Sequence, residues 1–187
     1  MHTVCKTDNF FFIKTIDDIS KKDWNDCVGL DHPFTRYEFL YALEKSGSAI
    51  NATGWQPFHY IEKNKDKKII AICPLYIKSH SFGEYIFDHV WADAYHHYGL
   101  EYYPKLQSAI PFTPVTGERI IIHKDEKNIK KIKKQVIMNI IDKAQTLNVS
   151  SLHFNFLNNP KDISNGSNNI LLRQGIQFHW KNNNYIS

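Results

Sequence analysis

Nowhere do about 18 apolar residues run together, so no stretch of the chain reads as a membrane-crossing helix. The opening MHTVCKTDNFFFIKTIDD interrupts its apolar residues with acids too soon for a signal peptide. A cytoplasmic protein without a membrane span is the expectation. Cysteine is scarce: Cys5, Cys27 and Cys73 are odd in number and form no C-x-x-C pair, which argues against a disulfide scaffold or a zinc ribbon and suits a reducing compartment. Charge of neither sign dominates. The 23 basic and 19 acidic residues leave +4, far from the concentrated basicity of a dedicated nucleic-acid binder, so DNA is not an expected partner. No G-x-S-x-G elbow exposes a serine, and no repeat or low-complexity tract is present.

What the chain does have is a core. With 187 residues and 42% hydrophobic content it is long enough for one domain spanning 1–187 and short for two. Its elements read in order. Phe10 to Ile16 is rich in aromatic and β-branched residues and predicts a strand; a short helix follows near Ser20 to Asn25. HPFTRYEFLYALEKSG places Tyr37, Leu40, Tyr41 and Glu44 at helical spacing, with Pro33 near the start and Gly47 at the stop. Trp24, Tyr37 and Leu40 are expected in the core. WQPFHYIEKNKDKKIIAICPLYIKS gives two apolar runs about the charged turn Asn64 to Lys67, a β-hairpin whose second arm is Ile69 to Ile77.

Further on, Ile129, Ile132, Val136, Ile140, Ala144 and Leu147 follow 3–4 spacing, predicting a long amphipathic helix from Glu126 to Leu147. Asp125 and Glu126 read as its caps. The helix joins strands at Arg119 to Ile122 and Val149 to Leu157, a crossover that implies parallel pairing. A weaker helix up to Gln174 and a last strand, Ile176 to Trp180, complete an α/β domain with a mixed sheet flanked by helices.

Between the hairpin and the crossover lies an insert at about 78–118. It packs eight aromatics between Phe82 and Tyr103, then Pro104, Pro111 and Pro114, too aromatic for an ordinary loop and too broken for a helix. Aromatics with polar tips among Glu84, Asp88, Asp93 and Lys105 suit a groove wall for an extended, partly polar substrate, which the prolines would fix. A plain aromatic minicore covering the sheet is the alternative. The candidate substrate-binding residues are Lys78, Tyr85, His89, Trp91, Tyr95, Lys105 and Thr113, with Asp88 and Asp93 as the candidate catalytic carboxylates, expected at one concave site. His89, His96 and His97 do not form an H-x-x-x-H pair, so no metal is expected. Lys127, Lys130, Lys131, Lys133 and Lys134 read as a solvated helix face, with a phosphate-tracking stripe as the alternative.

The blocks HPFTRYEFLYALEKSGS, TGWQPFHY, PLYIKSHSFGEYIFDHVWADAY, YYPKLQSAIPFTPVTGERI and LHFNFL, between Phe10 and Trp180, resemble the FemAB-like predicted N-acyltransferases of peptidoglycan biosynthesis or recognition. The resemblance implies a GNAT-like fold and transfer of an acyl or aminoacyl group to a peptide-like amine, which Asp88 or Asp93 would orient or deprotonate. It implies acyl-CoA or aminoacyl-tRNA as donor. No R/Q-x-x-G-x-G/A turn is present to cradle a pyrophosphate, so no cofactor is expected in this half. Family members usually carry two such halves; the resemblance therefore also implies either a second half on a separate chain or a non-catalytic, substrate-binding or structural half of a split or truncated enzyme.

Overall fold

The computed structural model describes residues 9–164 and 170–184. Cys5 and part of the weaker helix expected before Gln174 lie outside them. In chain order the elements are β1 (Phe10–Ile13), α1 (Lys21–Val28), α2 (Tyr37–Lys45), β2 (Trp55–Pro57), β3 (His59–Lys63), β4 (Ile69–Cys73), β5 (Tyr76–Lys78), α3 (His89–His97), β6 (Lys105–Ser108), β7 (Ile121–Ile122), α4 (Ile129–Thr146), β8 (Leu152–Phe154) and α5 (Lys161–Ser164). Ser20 caps α1 by accepting from Asp23 N at 3.0 Å, and Gly47, at φ 77°, takes the left-handed position just past α2.

Two four-stranded sheets form, in the orders β1-β3-β4-β7 and β2-β5-β6-β8. They are halves of one bent surface. Only Phe58 separates β2 from β3, only Pro74 and Leu75 separate β4 from β5, and Phe58 N donates to Leu75 O across the bend at 2.9 Å. The expected hairpin is therefore present but kinked at Pro74, which has no N–H to give a ladder. On the far side of this hairpin β6 pairs antiparallel with β5, and β7 with β4. Strands β6 and β7 thus occupy one lane, and residues 109–120 between them include a looped excursion.

Period-two alternation decides which side chains face which layer. Tyr60, Ala71 and Cys73 face α4, together with Val136, Ile137, Ile140 and Ala144. Ile61 and Ile72 point the other way, into Trp24, Cys27 and Leu40 of α1 and α2, with Tyr37 partly buried against them. The three residues expected in the core pack there.

Four expectations need correction. Helix α4 starts at Ile129 rather than Glu126; its N-cap, Asn128, makes no side-chain cap bond, and Asp125 and Glu126 instead close a turn on His123, whose carbonyl accepts from Glu126 N at 3.0 Å. The parallel pairing of the crossover falls on β6 with β8 and on a single Gly117–Leu157 bridge, not on β7 itself. The insert holds a nine-residue helix, α3, because no Pro or Gly interrupts HVWADAYHH. Residues 176–180 form no strand: no sheet edge receives them, and Ile176 and Phe178 are almost fully exposed.

Candidate functional site

One face of β5, β6 and β8 turns to α4 through Leu106, Leu152 and Phe154. The opposite face carries Lys78 on β5, Lys105 and Gln107 on β6 and His153 on β8, followed by Asn155. Segment 79–104 lies across that polar face and closes it.

Under this cover four charged side chains are almost completely buried: Lys78 and Lys105 at 0% exposure, Asp88 at 1% and Glu84 at 2%. Lys105 Nζ donates to Glu84 Oε2 at 2.7 Å and to Asp88 Oδ2. Lys78 Nζ lies 3.9 Å from Glu84 Oε1, donates to Gly54 O at 2.9 Å and sits 3.6 Å over the Trp55 ring. Tyr102 donates to Asp88 at 3.1 Å, and the Arg173 guanidinium reaches the other Asp88 oxygen at 3.4 Å from a mostly exposed position. With Lys78 protonated, two lysines against two carboxylates make the buried group neutral, which is how such charges tolerate removal from water.

The network continues across the sheet. With its amide oriented to satisfy its neighbours, Gln107 donates to both Glu84 oxygens at 2.9 Å and accepts from Asn155 Nδ2 at 2.7 Å. Asn155 O in turn accepts from Arg119 Nε at 2.9 Å. A continuous polar band thus runs from Lys78 to Arg119, ending where β8 leaves the β6–β7 lane.

Burial sets the protonation along this band. It pulls the Lys78 ammonium down to about 7, opposed by Glu84 and reinforced by Lys105. It raises the Glu84 carboxyl. For Asp88 burial acts upward too, but the hydrogen bond and charge of Lys105 outweigh it and hold the carboxyl below its ordinary value. His153, half-buried and beside Lys105, is pulled to about 4 by desolvation and by the lysine's charge and is neutral at pH 7; Arg119 is lowered by burial to about 10 and stays charged.

Of the residues singled out in the sequence, Asp88, Lys78 and Lys105 come together in this cluster. Tyr95 is half-buried, its ring against Tyr102 at 5.2 Å. Asp93 and His89 are exposed on α3, as are Trp91 at 53% and, before the helix, Tyr85 at 57%. Thr113, half-buried in the excursion, donates to Pro111 O at 3.1 Å. Two surface clefts, of about 350 and 380 Å³, are lined by other residues, among them Tyr41, Glu44 and Gln56 in the first and Trp55, His80, Phe82 and Phe112 in the second. Lys127, Lys130, Lys131 and Lys134 are exposed, and Lys133 pairs with Glu118 at 2.8 Å.

Sequence reasoning passed over Glu84 as a partner, and over Gln107, His153, Asn155 and Arg119 altogether. A signal existed: KLQS and LHFN alternate polar with apolar residues in strands whose other face is core. Among the described residues, no helix is long and apolar enough to cross a membrane.

This arrangement of a bent mixed sheet, a crossover helix and flanking helices is the fold of the GNAT N-acetyltransferases. Ribosomal-protein-alanine N-acetyltransferase from Brucella melitensis biovar Abortus 2308 is similar in structure with a TM-score of 0.50 at 15% identity, over 92% of this chain and 96% of that one. An aminoglycoside 6'-N-acetyltransferase from Acinetobacter baumannii (TM-score 0.47, 9% identity, 92% and 98% of the two chains) and glucosamine-6-phosphate N-acetyltransferase from Arabidopsis thaliana (0.46, 12%, 91% and 99%) are similar more distantly. No curated protein matches the chain. The FemAB-like family model, described as peptidoglycan biosynthesis/recognition, matches residues 15–187, and the chain belongs to that family.

Proposed function

We propose that this chain is an N-acyltransferase-type module that transfers an acyl or aminoacyl group to a peptide-like amine in peptidoglycan metabolism. Family membership supports the reaction class. The observation that carries the reading is the parting of the strands: β7 and β8 are each the last strand of their sheet, joined through α4, and the buried polar band ends at the gap between them. An extended ligand can add to such edges by backbone hydrogen bonds while neighbouring polar side chains read it. In this reading Asp88 positions Lys105 from within the cluster, and Asp93, exposed on α3, is the carboxylate free to meet an acceptor amine. The donor is an aminoacyl-tRNA rather than acetyl-CoA, because no Gly-rich turn leads into α4 to cradle a pyrophosphate.

One observation favours a second reading, a substrate-binding or structural half completed by another chain: Glu84, Asp88 and both lysines are satisfied by one another and none is presented to solvent. The purified chain, given a peptidoglycan stem peptide with a free side-chain amine and, in separate arms, aminoacyl-tRNA or acetyl-CoA, tests both. An N-aminoacyl product by mass spectrometry in the tRNA arm is expected, with no micromolar heat of binding for acetyl-CoA alone. Peptide binding without product in either arm overturns the catalytic reading in favour of the second. Neither binding nor product overturns both.

A further inference from the structure

The first of the two surface clefts, of about 350 Å³, opens between the residues that follow β1, the last turn of α2 and strand β2. Strands β1 and β2 are the first of their sheets and β7 and β8 the last, so this cleft stands at the edge away from the parting. Its volume is at the low end for ligand sites, which suits a small molecule.

Glu44 gives the cleft one unmatched negative charge. Its side chain is 10% exposed, and three donors fix its carboxylate: Thr15 Oγ1 donates to Oε2 at 2.8 Å, the Ile16 N–H to both oxygens at 3.0 and 3.2 Å, and His59 Nε2 to Oε1 at 3.4 Å. A carboxylate offers about four lone-pair sites, so one remains for a further donor. None of the three brings charge. His59 Nδ1 accepts from the Leu75 N–H at 3.2 Å, which leaves that ring a single proton, on Nε2. No lysine or arginine pairs with Glu44 among the described residues. Glu44 also lies in the last turn of α2, where the helix dipole favours a cation. A largely desolvated carboxylate so placed calls for a positive group.

Lys14 gives the cleft one unmatched positive charge. It lines the same cleft, is exposed, and has no partner among the described residues. The other two charges in the lining cancel, since Lys45 lies 3.6 Å from Asp17. Gln56, on the wall formed by β2, makes no side-chain hydrogen bond among the described residues, and Tyr41, Ile50 and Pro57 supply apolar lining. We propose that this cleft binds a free α-amino acid as its zwitterion, the ammonium donating to Glu44 and the carboxylate accepting from Lys14 and the Gln56 amide. An amine alone leaves Lys14 unmatched and an anion alone is repelled by Glu44, so a ligand carrying both charges is the one this lining complements. The inference does not depend on the acyl-transfer reading.

The test is an NMR titration of the labelled chain with L-alanine, with N-acetyl-L-alanine, which lacks the ammonium, and with L-alaninamide, which lacks the carboxylate. Saturable shifts of the Ile16 N–H, the His59 ring and the Gln56 amide are expected with alanine and none with the acetyl derivative. Alaninamide should bind about threefold more weakly than alanine, because an exposed lysine adds little to a carboxylate. Lys14→Gln should weaken alanine by a similar factor, leave alaninamide unaffected and keep the melting temperature. Glu44→Gln should abolish binding; because Glu44 holds Ile16 and His59 its replacement can unfold the chain, so the wild-type titrations and Lys14→Gln carry the decision. No saturable shift with alanine, equal shifts with the acetyl derivative, alaninamide binding as tightly as alanine, or Lys14→Gln binding alanine as wild type does, overturns the proposal. Acyl transfer is read by its own assay, and failure there leaves this inference standing.

Discussion

Replacing Asp88 with asparagine keeps the shape of the side chain and removes its charge, and the structure says what that does. Asp88 is 1% exposed and its carboxylate faces Lys105, Tyr102 and Arg173. Without it, Glu84 is left as the single buried carboxylate against two fully buried lysines. Breaking a buried pair on one side costs about 3–5 kcal/mol, since it leaves a charge uncompensated rather than merely losing an attraction. Glu84 stays within 2.7 Å of Lys105, so the lower end, about 3 kcal/mol, is expected for Asp88→Asn. The same change at exposed Asp93 should stay within about 0.5 kcal/mol. Adding Lys105→Met to Asp88→Asn restores neutrality and should recover part of the loss, a coupling that a double-mutant cycle reads directly. Urea unfolding followed by circular dichroism measures wild type, the single variants Asp88→Asn, Lys105→Met and Asp93→Asn, and the double variant, with shifted midpoints at a constant slope. A loss below about 1 kcal/mol for Asp88→Asn, or equal losses at Asp88 and Asp93, would refute the reasoning.

Stability should also climb with pH above neutrality on account of Lys78. Its folded value is about 7 against an ordinary 10.5, so between these the unfolded chain holds a proton that the folded one has released, and stability rises with pH across that window. The buried thiols of Cys27 and Cys73, pushed up to about 12 from 9, oppose this above pH 9, which makes pH 7 to 9 the interval to measure. Lys78→Met should flatten the rise relative to wild type; an unaltered slope would show that Lys78 does not titrate there. Leu40 is fully buried against Trp24 and Ile72, and Leu40→Ala should cost about 2–5 kcal/mol by urea denaturation, a negligible change counting against the packing.

Local pattern was enough to read the α2 helix, the hairpin about Asn64 to Lys67 and the long helix α4, because each rests on periodicity over a window longer than its ends. Their boundaries were not. Whether α4 starts at Glu126 or Ile129 depends on a turn closed by His123, and whether 176–180 becomes a strand depends on a free sheet edge, which is a property of the whole fold. The insert shows the same division. Its composition marked Glu84, Asp88, Asp93 and Lys105 as unusual, since charges so close to aromatics must be paired or exposed. Nothing in the order of residues distinguished Asp88 from Asp93, five positions apart. The fold did so by turning the first under the cover onto Lys105 and leaving the second on the open face of α3. Likewise Arg119 and His32 are 87 positions apart, and only the lack of a side chain at Gly117 lets the Nε2 edge of His32 and Arg119 Nη1 both close on that position. By itself the sequence determined which stretches bury an apolar face, because that follows from spacing along the chain. Which charges meet was decided by tertiary structure, because Coulomb and hydrogen-bond energies depend on separation in space and on the water that folding removes.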